Sequence, residues 1–199
     1  MKRKPFSFRL SALLPLFLLF SKSDRTDALL FLSAVALHEA GHLIALLSFR
    51  CRIENFTLSL AGAKIETKDP YLSYKKEARV FLAGPLAGLF GCLLAWFSLR
   101  LHFTKGGMLF FSFNLLLALF NLLPIKGLDG GGALFSLLCH YGEEEAAQRV
   151  MNLLHCLSLA LLLAASLWIL EREKNGSLLL LTVALMAGGT KRKKATITS

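Results

Sequence analysis

Two histidines and a glutamate interrupt an otherwise apolar stretch, Val35-Ala36-Leu37-His38-Glu39-Ala40-Gly41-His42-Leu43-Ile44, in the pattern HExxH. Few folds accommodate that combination. Residues four apart share a helix face, so a helix here offers His38 and His42 together to one ion. Glu39, about 100° around the axis, is turned away from being a third ligand, but it can reach a water on that ion and take its proton. The plainer alternative is a buried helix in which these residues fell together by chance. Ionisable groups inside a membrane segment are costly and usually functional, which weighs against it.

The rest of the chain supports a membrane setting. At 199 residues it allows one domain, and 55% hydrophobic content with mean hydropathy +0.57 is too apolar for an ordinary soluble fold. A formal charge of +10 could suggest nucleic acid. The basic residues, however, cluster at Lys2, Arg3, Lys4 and Arg9, from Arg50 to Arg79, and from Lys191 to Lys194, always beside apolar runs. That is the pattern of cytoplasmic flanks facing anionic lipid, so the expected partner is the lipid bilayer and not nucleic acid. Cys51, Cys92, Cys139 and Cys156 show no CxxC pairing and read as reduced, small apolar fillers.

The expected architecture is an all-α polytopic membrane protein of about six transmembrane helices, with a small re-entrant β-hairpin after the second. Residues 5 to 20 form a short first span behind a basic head; Ser21-Lys22-Ser23-Asp24-Arg25 lacks a small-x-small cleavage site, so the segment reads as retained. Residues 27 to 49 form the second span and carry the HExxH. Between 53 and 66, Ile53, Phe56, Leu58 and Leu60 alternate with Asn55, Thr57, Ser59 and Ala61, which reads as a strand pair, with an interfacial loop as the alternative. Residues 79 to 101 form the third span, in which Gly84, Gly88, Gly91 and Ala95 make a small-residue face for close helix approach.

Residues 107 to 123 form the fourth span, ending in Asn121-Leu122-Leu123-Pro124-Ile125-Lys126-Gly127-Leu128-Asp129-Gly130-Gly131-Gly132. Pro124 and the glycines are expected to break the helix, and non-helical backbone at membrane depth is tolerated where it is buried in protein or lines a wet cavity. Asp129 in such a break is a candidate third ligand; a loop in which it caps a helix starting near Ala133 is the alternative. Residues 133 to 149 are amphipathic to polar, with Glu143, Glu144 and Glu145 a solvated surface. Spans at 150 to 170 and 177 to 189 follow. Six spans put both basic termini in the cytoplasm, and His38, His42 and Asp129 then fall toward the same cytoplasmic side.

Catalytic zinc keeps three protein ligands and one open position, which His38, His42 and Asp129 would supply, with Glu39 as the base. Asn121 would hold substrate backbone or a developing oxyanion, or else make a helix-to-helix hydrogen bond. A substrate helix must be unwound before cleavage. The strand near residues 53 to 66 offers an edge for it, so proline at Leu58 or Leu60 is expected to lower cleavage without lowering metal content. His102, His140 and His155 read as interfacial or packing residues.

These motifs, His38-Glu39-Ala40-Gly41-His42, Ala83-Gly84-Pro85-Leu86, and Asn121-Leu122-Leu123-Pro124 followed by Leu128-Asp129-Gly130-Gly131, resemble those of the site-2 protease family of intramembrane zinc metalloproteases. The compact layout is most similar to its sporulation stage IV branch, which cleaves membrane-associated precursors near the cytoplasmic face. The resemblance implies zinc ligation by His38, His42 and Asp129, one ion per chain, catalysis by Glu39, and substrate contact at Asn121. It implies one membrane-embedded protease domain over 1–199 with a core at 27–140, without PDZ or CBS domains, acting in the cell membrane on a membrane-protein substrate and open to a regulatory membrane protein. Gly127 stands where relatives often have a second proline, and Gly88 where an asparagine often follows the glycine-proline pair. The alternative is a non-catalytic relative that binds or chaperones membrane proteins, which would have no need of Glu39. A metal transporter would want polar residues on several spans, and they are scarce here.

Overall fold

The computed structural model describes residues 25–50 and 73–173, the backbones of three short strands, and isolated positions between 179 and 186. In chain order the elements are β1 (Phe6–Phe8), α1 (Arg25–Ser48), β2 (Ile53–Ser59), β3 (Gly62–Thr67), α2 (Tyr74–Leu101), α3 (Lys105–Asn121), α4 (Asp129–Tyr141) and α5 (Glu144–Glu173). The expected first span therefore begins in extended backbone at Phe6–Phe8, and its remaining residues lie outside the described ones. The expected sixth span, 177 to 189, also lies largely outside them.

Among the described residues three helices, α1, α2 and α5, are long and apolar enough to cross a membrane; α3 is a shorter apolar helix of 17 residues. At 1.5 Å per residue α3 measures only about 26 Å. Helix α2 lies at the centre, packed against α1, α3 and α4, while α1 also meets α3 and α5 leans on α4. The reason is written in its side chains. Its buried positions are Ala78, Gly84, Pro85, Gly88, Gly91, Cys92 and Ala95, all small or compact. Leu86, Phe90, Leu93, Leu94, Trp96 and Phe97 point outward. Small residues within and large apolar ones outside invert the order of a soluble bundle and suit an exterior of lipid, where close backbone approach drives helix association.

Helix α1 follows the same logic on one stripe, with Ala34, His38, Gly41, His42 and Leu46 buried and Leu29, Leu32, Ile44 and Leu47 outward. A Cβ on Gly41 would collide with the Ala83 carbonyl oxygen, so that glycine brings α1 against α2. The Thr104 hydroxyl caps α3 by accepting from Gly107 N–H at 3.0 Å. Glu144 and Glu145 occupy the exposed first turn of α5, where negative charge suits the helix dipole.

The strands form one sheet in the order β1-β2-β3, with β2 parallel to β1 and antiparallel to β3. Leu58 faces Phe8 on one side and Ala63 on the other. This changes the expectation of a free edge at Leu58: that strand is central, and among the described residues the sheet's edges belong to β1 and β3. Leu60 lies outside the described residues.

A second correction concerns Asp129. The break after α3 covers only Leu122 to Leu128, and Asp129 opens α4 instead of standing in non-helical backbone, with Gly130, Gly131 and Gly132 helical behind it. These glycines permit contact rather than disorder the chain. A Cβ on Gly130 would meet the Leu122 carbonyl, one on Gly131 the Ile125 carbonyl, and one on Gly132 the Phe81 ring. The turn is anchored by Ile125, which is fully buried, and by hydrogen bonds from Ile125 N–H to Leu123 O and from Leu128 N–H to Ile125 O. Gly127 has φ +98°, a conformation closed to proline.

Candidate metal centre

The helical spacing of α1 puts the two histidines one turn apart on the buried stripe, ring centroids 5.0 Å apart and planes inclined by 78°. Helix α2 holds the second of them. His42 Nδ1–H donates to the Val80 carbonyl at 2.8 Å, and Gly84, one turn further along α2, leaves room for the imidazole edge. A Cβ on Gly84 would overlap His42 Nε2, Cε1 and Cδ2 together. The first turn of α4 then delivers Asp129, whose Oδ2 lies 3.0 Å from His38 Nε2 and 3.2 Å from His42 Nε2, while the two Nε2 atoms are 3.3 Å apart. A bond from Ser136 Oγ to Glu77 Oε2, 3.0 Å, ties α4 to the start of α2.

This triangle suits a metal ion in size and in chemistry. Ligands on a tetrahedral zinc with bonds of about 2.0–2.1 Å stand roughly 3.3 Å from one another. The Val80 contact assigns the hydrogen of His42 to Nδ1 and leaves Nε2 as a lone pair aimed at a carboxylate oxygen. Two electron-rich atoms converging in a buried site call for a cation between them. His38, His42 and Asp129 are, among the described residues, a group whose ligand atoms could hold one metal.

Glu39 sits half-buried beside this group, and its Oε2 is buried without a hydrogen-bond partner. Asn121 is not drawn into the triangle. Its amide donates to Leu117 O of its own helix at 2.9 Å rather than to a neighbouring helix. His155 accepts the Lys126 N–H at Nδ1, 3.2 Å, and so satisfies a backbone donor in the turn before Asp129, in keeping with a packing role. Cys92 and Cys139 are buried, as expected of fillers, whereas Cys156 is exposed. Sequence reasoning missed the Val80 carbonyl, which no side-chain pattern announces. It read Gly84 as part of a packing face without seeing that the neighbour is His42.

Comparison with known proteins adds three findings. Residues 103–165, a stretch containing both Asn121 and Asp129, match the profile of peptidase family M50. Over 145 residues the chain is 33% identical to stage IV sporulation protein FB of Bacillus subtilis (strain 168), covering 71% of this chain and 49% of that protein. The chain thus spans about half the length of that curated relative. The fold is similar to that of a site-2 protease from Methanocaldococcus jannaschii, with TM-score 0.68 and 20% identity, covering 100% of this chain and 96% of the other.

Proposed function

The chain belongs to the site-2 protease family, peptidase family M50, and from that premise we propose that it is a membrane-embedded zinc endopeptidase. It hydrolyses a peptide bond in a transmembrane or membrane-associated protein near the cytoplasmic face. The observation that carries the reading is the meeting of His38 and His42 with Asp129, 87 residues beyond the second histidine, within hydrogen-bond distance of one another.

His38, His42 and Asp129 would hold one zinc ion, which when bound would supply Lewis acidity for activating water and polarising the substrate carbonyl. Glu39 accepts the proton of the attacking water at its carboxylate and returns it to the departing amine. The unpartnered Oε2 supports that role, because an acceptor left open in a buried site is available to a water proton. The Val80 carbonyl and the space at Gly84 keep the His42 ring aimed at the site throughout.

The bundle accounts for shielding of the site, and the sheet for delivery of substrate. An unwound substrate segment pairs along an open edge, β3 being the longer of the two. The basic clusters at both ends support cytoplasmic termini and an even number of crossings.

Metal analysis of detergent-purified protein tests the centre without a substrate. About one zinc per chain is expected, lost or much weakened in both His38→Ala and Asp129→Ala. Absence of zinc from the unmodified protein, or full retention in both variants, would overturn the reading. Glu39→Gln should keep the zinc and lose cleavage by about a hundredfold or more.

A further inference from the structure

Among the described residues, three buried side-chain polar atoms have no hydrogen-bond partner: Glu39 Oε2, His38 Nδ1 and Asn114 Oδ1. The first two belong to the metal centre. Asn114 belongs to α3 and is fully buried. Its amide nitrogen donates to Phe110 O at 2.9 Å, which fixes the carboxamide with its oxygen as the open end. Contacts set its level in the bundle. A Cβ on Gly91 would lie 2.6 Å from Leu37 Cδ2 and 2.9 Å from Asn114 Oδ1, and Leu37 immediately precedes His38. On the same two helices the rings of Phe31 and Phe113 meet edge to face, centroids 5.5 Å apart. Asn114 therefore stands beside the turn of α1 that carries His38.

The two histidines are unequally secured. His42 gives its Nδ1–H to Val80 O, whereas His38 Nδ1 has no such anchor although its Nε2 faces Asp129. If His38 Nε2 is to offer a lone pair, Nδ1 carries the hydrogen and needs an acceptor. A buried acceptor without a donor waits on the neighbouring helix at the same level. We propose that Asn114 is the positioning residue of His38, its carboxamide oxygen receiving the Nδ1–H through one intervening water and so fixing the tautomer and the ring. A single water between two such groups in an apolar wall is the kind that folded proteins retain.

The inference rests on the reading of His38 as a metal ligand, and two measurements keep them apart. Nitrogen-15 NMR of histidine-labelled, metal-free protein in micelles reports the His38 tautomer, the signal being assigned by its loss in His38→Ala. The unmodified protein should show the Nδ1–H form, Asn114→Leu a mixture or the other form, and Asn114→Asp, which keeps an acceptor in place, a return to the first. Chelator competition should show zinc bound about 10–100-fold more weakly by Asn114→Leu and within a few-fold of normal by Asn114→Asp. If the leucine variant fails to fold, Asn114→Ala reads the same two quantities. An unchanged tautomer with unchanged zinc affinity would overturn the proposal. Full zinc affinity in His38→Ala would instead remove the ligand assignment, while the tautomer comparison would still decide whether Asn114 acts on His38.

Discussion

Replacing Gly84 by alanine puts a methyl group onto the His42 imidazole, and the ring cannot retreat without giving up Val80 O. The expected outcome is a folded protein with a thermal midpoint near normal and zinc affinity lowered about tenfold or more, read by chelator competition. Unchanged affinity would mean that α2 shifts as a body and that the seat is not selective. Gly88 is a useful contrast, since its added Cβ would meet Ala118 at 3.4 Å, ordinary packing distance. Two glycines one turn apart on the same face thus differ in kind: Gly84 fits around an imidazole, and Gly88 fits against another helix.

Among the elements, the turn from Leu122 to Leu128 decides where Asp129 arrives. Its buried anchor Ile125, the positive φ of Gly127 and the glycines that open α4 let the chain reverse closely enough for the aspartate to meet two histidines on α1. The sheet is the other element with a functional stake. If substrate pairs along the open edge of β3, proline at Ala63 or at Lys64 should lower cleavage while zinc content holds. Neighbouring residues in a strand direct their N–H groups to opposite sides, so one of the two positions removes an outward donor. Undiminished cleavage in both variants would exclude this edge as the docking strand. Proline at Leu58 is a poorer probe, because that residue is paired on both sides.

At the scale of the whole molecule, the small interior and the large apolar exterior of α1 and α2 identify a membrane protein, and α5, with few buried positions, is the most exposed of the three candidate spans. Charge at the two ends predicts that both termini face the cytoplasm. Epitope tags added at either end should be reached by antibody in inside-out vesicles and protected in right-side-out ones. Exposure of one tag alone would mean an odd number of crossings.

By itself the sequence determined that the chain belongs in a membrane, that His38 and His42 share a helix face, and that small residues on α2 would let helices meet closely; each follows from local spacing and side-chain size. It also marked Asp129 as a candidate, through the company of Pro124 and the glycines. Only the tertiary structure decided that Asp129 begins a helix, that Val80 and Gly84 seat His42, that β2 is a central strand, and that the buried Asn114 stands beside the turn carrying His38. These facts depend on carbonyl positions and on distances between helices, which no periodicity along one chain encodes.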